Sequence, residues 1–115
     1  MLRKYDFYLN DILTAIKRIK MFMEKMSLSE FERDLKTQSS VIWQLVVMGE
    51  AVSRLPENFT KKHSAVPWQK VKDFRNVVVH KYDQIRVDLL WEIIQNNLPK
   101  FAEQIKEIVS NEKNQ

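Results

Sequence analysis

Arg75, Asn76 and His80, followed by Lys81 and Tyr82, are the residues whose types and spacing could do chemistry. They stand in the stretch Asp73-Phe74-Arg75-Asn76-Val77-Val78-Val79-His80-Lys81-Tyr82, which holds one of only two histidines in the chain. Arginine is always charged, and its planar fork grips phosphate through two parallel hydrogen bonds. Histidine titrates near neutral pH and can take or give a proton. Asparagine can orient a phosphate or an imidazole. Together they suit metal-free cleavage of RNA. His80 would deprotonate the ribose 2′-hydroxyl or protonate the leaving 5′-oxygen, and Arg75 would stabilise charge on the phosphorus oxygens. DNA lacks the attacking hydroxyl.

Geometry constrains this chemistry. On a continuous helix, residues five apart diverge by about 140°, so Arg75 and His80 do not share a face. Asn76 and His80, four apart, do. Three arrangements would resolve the conflict. The helix ends before His80, Arg75 reaches around with its long arm, or a second chain completes the site. A twofold dimer would present two histidines, one for the acid and one for the base. A plainer account also fits the spacing. A histidine at a helix C-terminus complements the helix dipole, and an arginine after Asp73 can form a surface ion pair.

The elements that must position these residues read as helices. One glycine and three prolines in 115 residues leave few turn formers for a β fold. From about Leu2 to Met26, apolar residues recur at steps of three and four (Tyr5, Tyr8, Leu9, Ile12, Ile16, Ile19, Met23, Met26), the period of a helix with one buried stripe. The Met21-Phe22-Met23-Met26 cluster continues that stripe and reads as core. Ser29, with Glu32 three residues on, reads as a capping box opening a short helix from Glu30 to about Leu35. Thr37 then reads as the cap of a long helix, Gln38 to about Leu55, ended by Pro56. Its inner stripe is Ile42, Leu45, Gly49 and Val52, flanked by Val41 and Val46. Gly49, the only glycine, sits mid-helix at about 1 kcal/mol disadvantage to alanine. Close approach of another helix or of an active-site side chain would offset this. Glu50 beside it reads as an ordinary exposed glutamate.

Pro56 to Ser64 is a polar connection with room for one helical turn, and His63 within it reads as solvated. Pro67 opens a helix from Trp68 to about Val79 with Val71, Phe74 and Val78 inward. Three consecutive valines lower helix propensity, so this helix is expected to loosen or end near His80. A last helix runs from about Arg86 on Val87, Leu90, Trp91, Ile94, Leu98, Phe101, Ile105 and Ile108, kinked but not stopped by Pro99. The polar tail from Ser110 is expected to fray. The fold class is all-α: an antiparallel up-and-down four-helix bundle with a short accessory helix, one domain over 1–110 and a tail over 111–115.

Composition narrows the function classes. The chain is 44% hydrophobic and 30% charged, a balance typical of a folded domain. The absence of cysteine excludes disulfides, thiol catalysis and cysteine-ligated zinc, and two distant histidines argue against a histidine-rich metal site. No cofactor is expected. A net charge of +4 permits a nucleic-acid partner without requiring one. No signal peptide or membrane span is read from the sequence, which makes the cytoplasm the expected location.

The segment from Arg75 to Tyr82 resembles the signature of the HEPN superfamily, an arginine followed after four to six residues by a histidine. The Arg75-Asn76 opening and the tyrosine two places after His80 resemble the HepT toxin branch. So do Tyr8 to Ile16 (first helix), Met48-Gly49-Glu50-Ala51, and Val66-Pro67-Trp68 at the approach to the motif helix. The resemblance implies a helical bundle that forms a homodimer with the two motifs facing each other. It also implies a metal-independent endoribonuclease toxin of a toxin–antitoxin pair, with Arg75 and His80 catalytic and Asn76 supporting. RNA, including tRNA, would be the substrate. The implied partner is a small MntA-like nucleotidyltransferase antitoxin that attaches AMP to Tyr82, which an extended chain beyond His80 would project to the same side as His80. The competing readings are a bundle that docks a nucleotidyltransferase or nucleic acid without cleaving, and a purely structural helical dimer.

Overall fold

The structure, a computed structural model, describes residues 4–113. Helix α1 (Asp6–Phe22) packs mainly against α3 (Leu35–Ser53), and α3 packs in turn against α5 (Trp68–Lys81). The fourth layer is a long interrupted helix, α6 (Val87–Glu92), a π turn (Ile93–Asn97) and α7 (Leu98–Lys113), which closes on α1. Two short helices, α2 (Leu28–Glu32) and α4 (Glu57–Lys62), fill the links, where one accessory helix was expected. The all-α four-helix bundle holds.

The stripes read from the sequence for the first and last segments form much of the core, whereas on α3 Ile42 and Val46 are only half-buried and Met48 and Ala51 are buried with Val41, Leu45, Gly49 and Val52. Leu9, Ile12, Ile16, Ile19 and Met23 of the first segment are buried, as are Leu90, Ile94, Leu98, Phe101, Ile105 and Ile108 of the last. Each such side chain contributes about 1.5–3 kcal/mol by leaving water. Met21 and Phe22, in contrast, lie outside the stripe and are exposed. No helix among the described residues is long and apolar enough to cross a membrane.

Several boundaries shift. The expected start of α1 at Leu2 lies outside the described residues. Its end comes early, because the chain turns at Lys25, which adopts φ 61°. The capping box of α2 is Ser27 with Glu30, not Ser29 with Glu32. Glu30 N–H donates to Ser27 Oγ and Ser27 N–H to Glu30 Oε1, both at 3.1 Å. Both serines have a glutamate three residues on, so the motif alone could not choose between them. Asp34, not Thr37, caps α3. Its Oδ1 accepts from Thr37 N–H at 2.9 Å and its Oδ2 from Thr37 Oγ1 at 2.7 Å. Within the described residues the expected fraying from Ser110 is not seen, and α7 runs to Lys113. Pro99 does not stop its helix, as expected. Proline has no N–H for the carbonyl of Gln95 and its ring crowds that carbonyl, and the π turn spans this position.

Hydrogen bonds from the Thr37 backbone and hydroxyl hold the Asp34 carboxyl below its ordinary 3.8. A carboxyl lowered by folding adds stability that is present above 3.8 and is lost as pH falls through the folded value. Asp34→Ala is therefore expected to lower the melting temperature at pH 7. The gap between mutant and wild type should close below that range, as followed by circular dichroism at stepped pH.

The start of α5 is anchored by an aromatic cluster. Phe59 of α4 is buried against Tyr5 (5.1 Å between centroids), His63 (4.8 Å) and Trp68 (6.3 Å), and Trp68 also meets Phe101 (6.2 Å). The Trp68 indole N–H donates to the His63 carbonyl at 3.0 Å. His63 is thus half-buried against Phe59 and not the solvated histidine expected, because α4 folds the polar link back onto the core.

Candidate functional site

Helix α5 carries the motif without a break. Val77, Val78 and Val79 are helical, and the helix continues through His80 to Lys81. It ends one residue past His80, close to where it was expected to end, while the valines themselves stay helical. The propensity penalty for valine is a fraction of a kcal/mol per residue. Packing of α5 on α3 and burial of Val78 (1% exposed) outweigh it.

An unbroken helix sets the directions. Val78 points inward. Asn76 and His80 lie on the opposite side, both exposed, and among the described residues neither side chain makes a hydrogen bond or ion pair. Arg75 leaves the helix roughly 140° from His80. Of the three arrangements open to the sequence, an early helix end is removed, and Arg75 does not reach around, because its side chain is committed elsewhere.

That commitment is to α3. A Cβ on Gly49 would overlap Cβ and Cγ of Arg75 and stand 3.7 Å from its Cα. The missing side chain is the shelf on which the arginine stem rests, which accounts for the glycine in mid-helix. Further out, Arg75 Nη1 donates to Glu50 Oε1 as an ion pair. Nη2 donates to Ser53 Oγ at 3.2 Å, and Ser53 Oγ donates to the Gly49 carbonyl at 3.0 Å. Arg75 Nε is buried and donates to no acceptor among the described residues. The Arg75 side chain is 22% exposed and that of Glu50 47%. A pair this open to solvent contributes about 1 kcal/mol at most. Its larger effect is to orient the guanidinium.

Glu50 is therefore not the ordinary exposed glutamate the sequence indicated. Glu50 and Ser53 are the site residues sequence reasoning missed. The one available signal was Gly49: a glycine on the inner stripe implies an intruding side chain, and its neighbours one and four residues on are placed to meet that side chain's tip.

The backbone at Tyr82 differs from expectation. The chain after His80 is not extended. Tyr82 begins a single 3₁₀ turn, Tyr82–Gln84, entered through Lys81 at φ −138° and ψ 35°. The tyrosine is 68% exposed. A period-two argument for its direction does not apply in a helical turn.

Comparison with known proteins adds the decisive observation. A family profile described as ribonuclease HepT-like matches residues 12–108. The chain belongs to the HepT-like ribonuclease family. It is similar to a protein of Methanocaldococcus jannaschii named provisionally as an RNase, with 40% identity over 102 residues, covering 89% of this chain and 84% of that one. It is also similar to the probable ribonuclease HepT of Thermococcus cleftensis, 33% identical over 99 residues (86% and 90% of the two chains). A third relative, provisionally named an RNase in Caldanaerobacter subterraneus, is 32% identical over 106 residues (92% and 95%). No solved structure gives a significant match. Within this HepT-like chain the matched segment contains Gly49, Glu50, Ser53, Arg75, Asn76, His80 and Tyr82.

Proposed function

We propose that this HepT-like protein is a metal-independent endoribonuclease whose site is completed across a homodimer. The observation that carries this reading is the split on α5: Arg75 held on the Gly49 shelf, His80 and Asn76 uncommitted on the far side. Val77 (49% exposed) and Val79 (46%) flank His80 and give that face an apolar rim. A second copy docked on this face would cover the valines and bring two histidines together. One would then accept the proton of the ribose 2′-hydroxyl as its oxygen bonds to phosphorus. The other would protonate the 5′-oxygen as the P–O5′ bond breaks. Arg75 would bear on the charge growing on the non-bridging oxygens, and Asn76 would hold a phosphate or an imidazole in place. The products are a 2′,3′-cyclic phosphate and a 5′-hydroxyl.

The test is incubation of purified protein with RNA and tRNA in EDTA, with analysis of the new ends and of the sedimentation of the protein. Cyclic phosphate ends from a dimer support the reading. No cleavage by a correctly folded dimer leaves a binding module instead.

Family membership and the exposure of Tyr82 support a second element, a toxin role with silencing by a nucleotidyltransferase antitoxin. The tyrosine hydroxyl would attack the α-phosphorus of ATP, pyrophosphate would leave, and the phenolic proton would pass to a base. Added AMP close to His80 would repel RNA by charge. Mass increments of AMP are expected after incubation with the partner and ATP, and are expected to vanish in Tyr82→Phe. Increments that persist there would place the modification on another residue.

A further inference from the structure

We propose that the cleft between α1 and α3 beside Glu50 is a nucleobase subsite, in which Trp43 stacks on one base of single-stranded RNA. The inference rests on the ribonuclease reading and names the form of RNA it takes.

Trp43, Val47, Glu50 and Arg54 recur on α3 at steps of four, three and four, so they share one face. Tyr8 and Asp11, three apart on α1, face them. These residues line a cleft of about 320 Å³, at the small end of the range for small-molecule sites. Trp43 is 62% exposed. A lone exposed apolar side chain needs no explanation, but an indole at the mouth of a mainly apolar cleft that also carries Asp11, Glu50 and Arg54 is a stacking platform for an unpaired base.

The charged groups around it fit a nucleotide. Arg54 is exposed and makes no ion pair among the described residues, so its guanidinium is available to a phosphate. Asp11 and Glu50 bring only acceptors when ionised, which suits the amino groups of adenine, cytosine and guanine better than the edge of uracil. Glu50 also belongs to the other side of the wall, where it accepts from Arg75. Glu50 therefore joins the cleft wall to the arginine assigned to the phosphorus oxygens. A strand with its scissile phosphate at Arg75 leads its neighbouring nucleotide into the cleft. In a duplex the faces of each base are stacked on its neighbours and its Watson–Crick edge is paired, so a duplex is excluded. The alternative occupant, a second copy of the chain using Trp43 as an anchor, fits less well, because the dry centre of an interface is depleted of charges such as Asp11, Glu50 and Arg54.

The experiment is a titration of His80→Ala protein, which binds without turnover, with a short single-stranded RNA and with its duplex. Trp68 is buried and Trp91 half-buried, so quenching of the exposed indole reports Trp43. The single strand is expected to quench and the duplex not. Trp43→Ala in the same background should weaken binding about tenfold and Trp43→Phe far less, the scale of one base–aromatic stack. Asp11→Asn should reduce the preference for oligomers of amino-bearing bases over uridine oligomers. Unchanged affinity in Trp43→Ala overturns the subsite. So does loss of dimer in sedimentation with unchanged affinity, which would make Trp43 an interface anchor. Cleavage by wild type together with either result removes the subsite and leaves the ribonuclease reading. Trp43-dependent binding without any cleavage does the reverse.

Discussion

His80→Ala is expected to lower the rate of RNA cleavage by about 10²–10⁴-fold, the usual contribution of a positioned acid or base. Arg75→Ala should lower it by about 10²–10³-fold, the scale for loss of a transition-state charge donor. The fold should survive both changes. His80 is exposed and has no partner among the described residues. The Arg75–Glu50 pair contributes no more than about 1 kcal/mol. Arg75→Lys keeps the charge but not the fork that reaches Glu50 and Ser53 at once, so it should rescue little. The double mutant should be no worse than the poorer single one, since residues that serve one step are not additive. These values come from single-turnover cleavage of a labelled RNA in EDTA, with melting temperature as the folding control. Wild-type rates in both single mutants would remove the assigned site.

Gly49→Ala tests the shelf beneath Arg75. On an open helix this change would gain about 1 kcal/mol of propensity. Here the new methyl overlaps Cβ and Cγ of Arg75, the part of the side chain fixed to the α5 backbone. It cannot swing away without moving α5 from α3. Forcing a methyl into a packed interface costs about 1–3 kcal/mol, so a net loss of stability of up to about 2 kcal/mol is expected, measured by urea denaturation. The effect on activity should be larger. A displacement of about 1 Å at a reacting centre can cost 10²-fold, and the fall in cleavage should be at least about tenfold. A variant that melts higher and cleaves normally would show that α5 tolerates the methyl and that the glycine serves neither fit nor catalysis.

The bundle was legible in the chain because each helix must bury one stripe, and a stripe of period 3.6 is written in consecutive residues. The inward sets of α1 and of the α6–α7 segment could be named almost residue for residue. Arg75, Asn76, His80 and Tyr82 could be picked out as candidates together, since they are neighbours in one helix and the turn that follows it. Capping was not, because Ser27 and Ser29 offer the same local pattern and only the path of the link chooses between them. The end of α5 close to His80 was legible, but that Val77–Val79 stay fully helical up to it was not, since local propensity says loosen and contact with α3 says continue. Gly49 announced that something approaches, without saying what. The answer lies twenty-five residues away from Glu50 in sequence. The sequence by itself determined which side chains could do chemistry and which faces must be buried. Only the tertiary structure decided that Arg75 belongs to Gly49, Glu50 and Ser53 while His80 faces outward, because that choice depends on how two helices seat against each other.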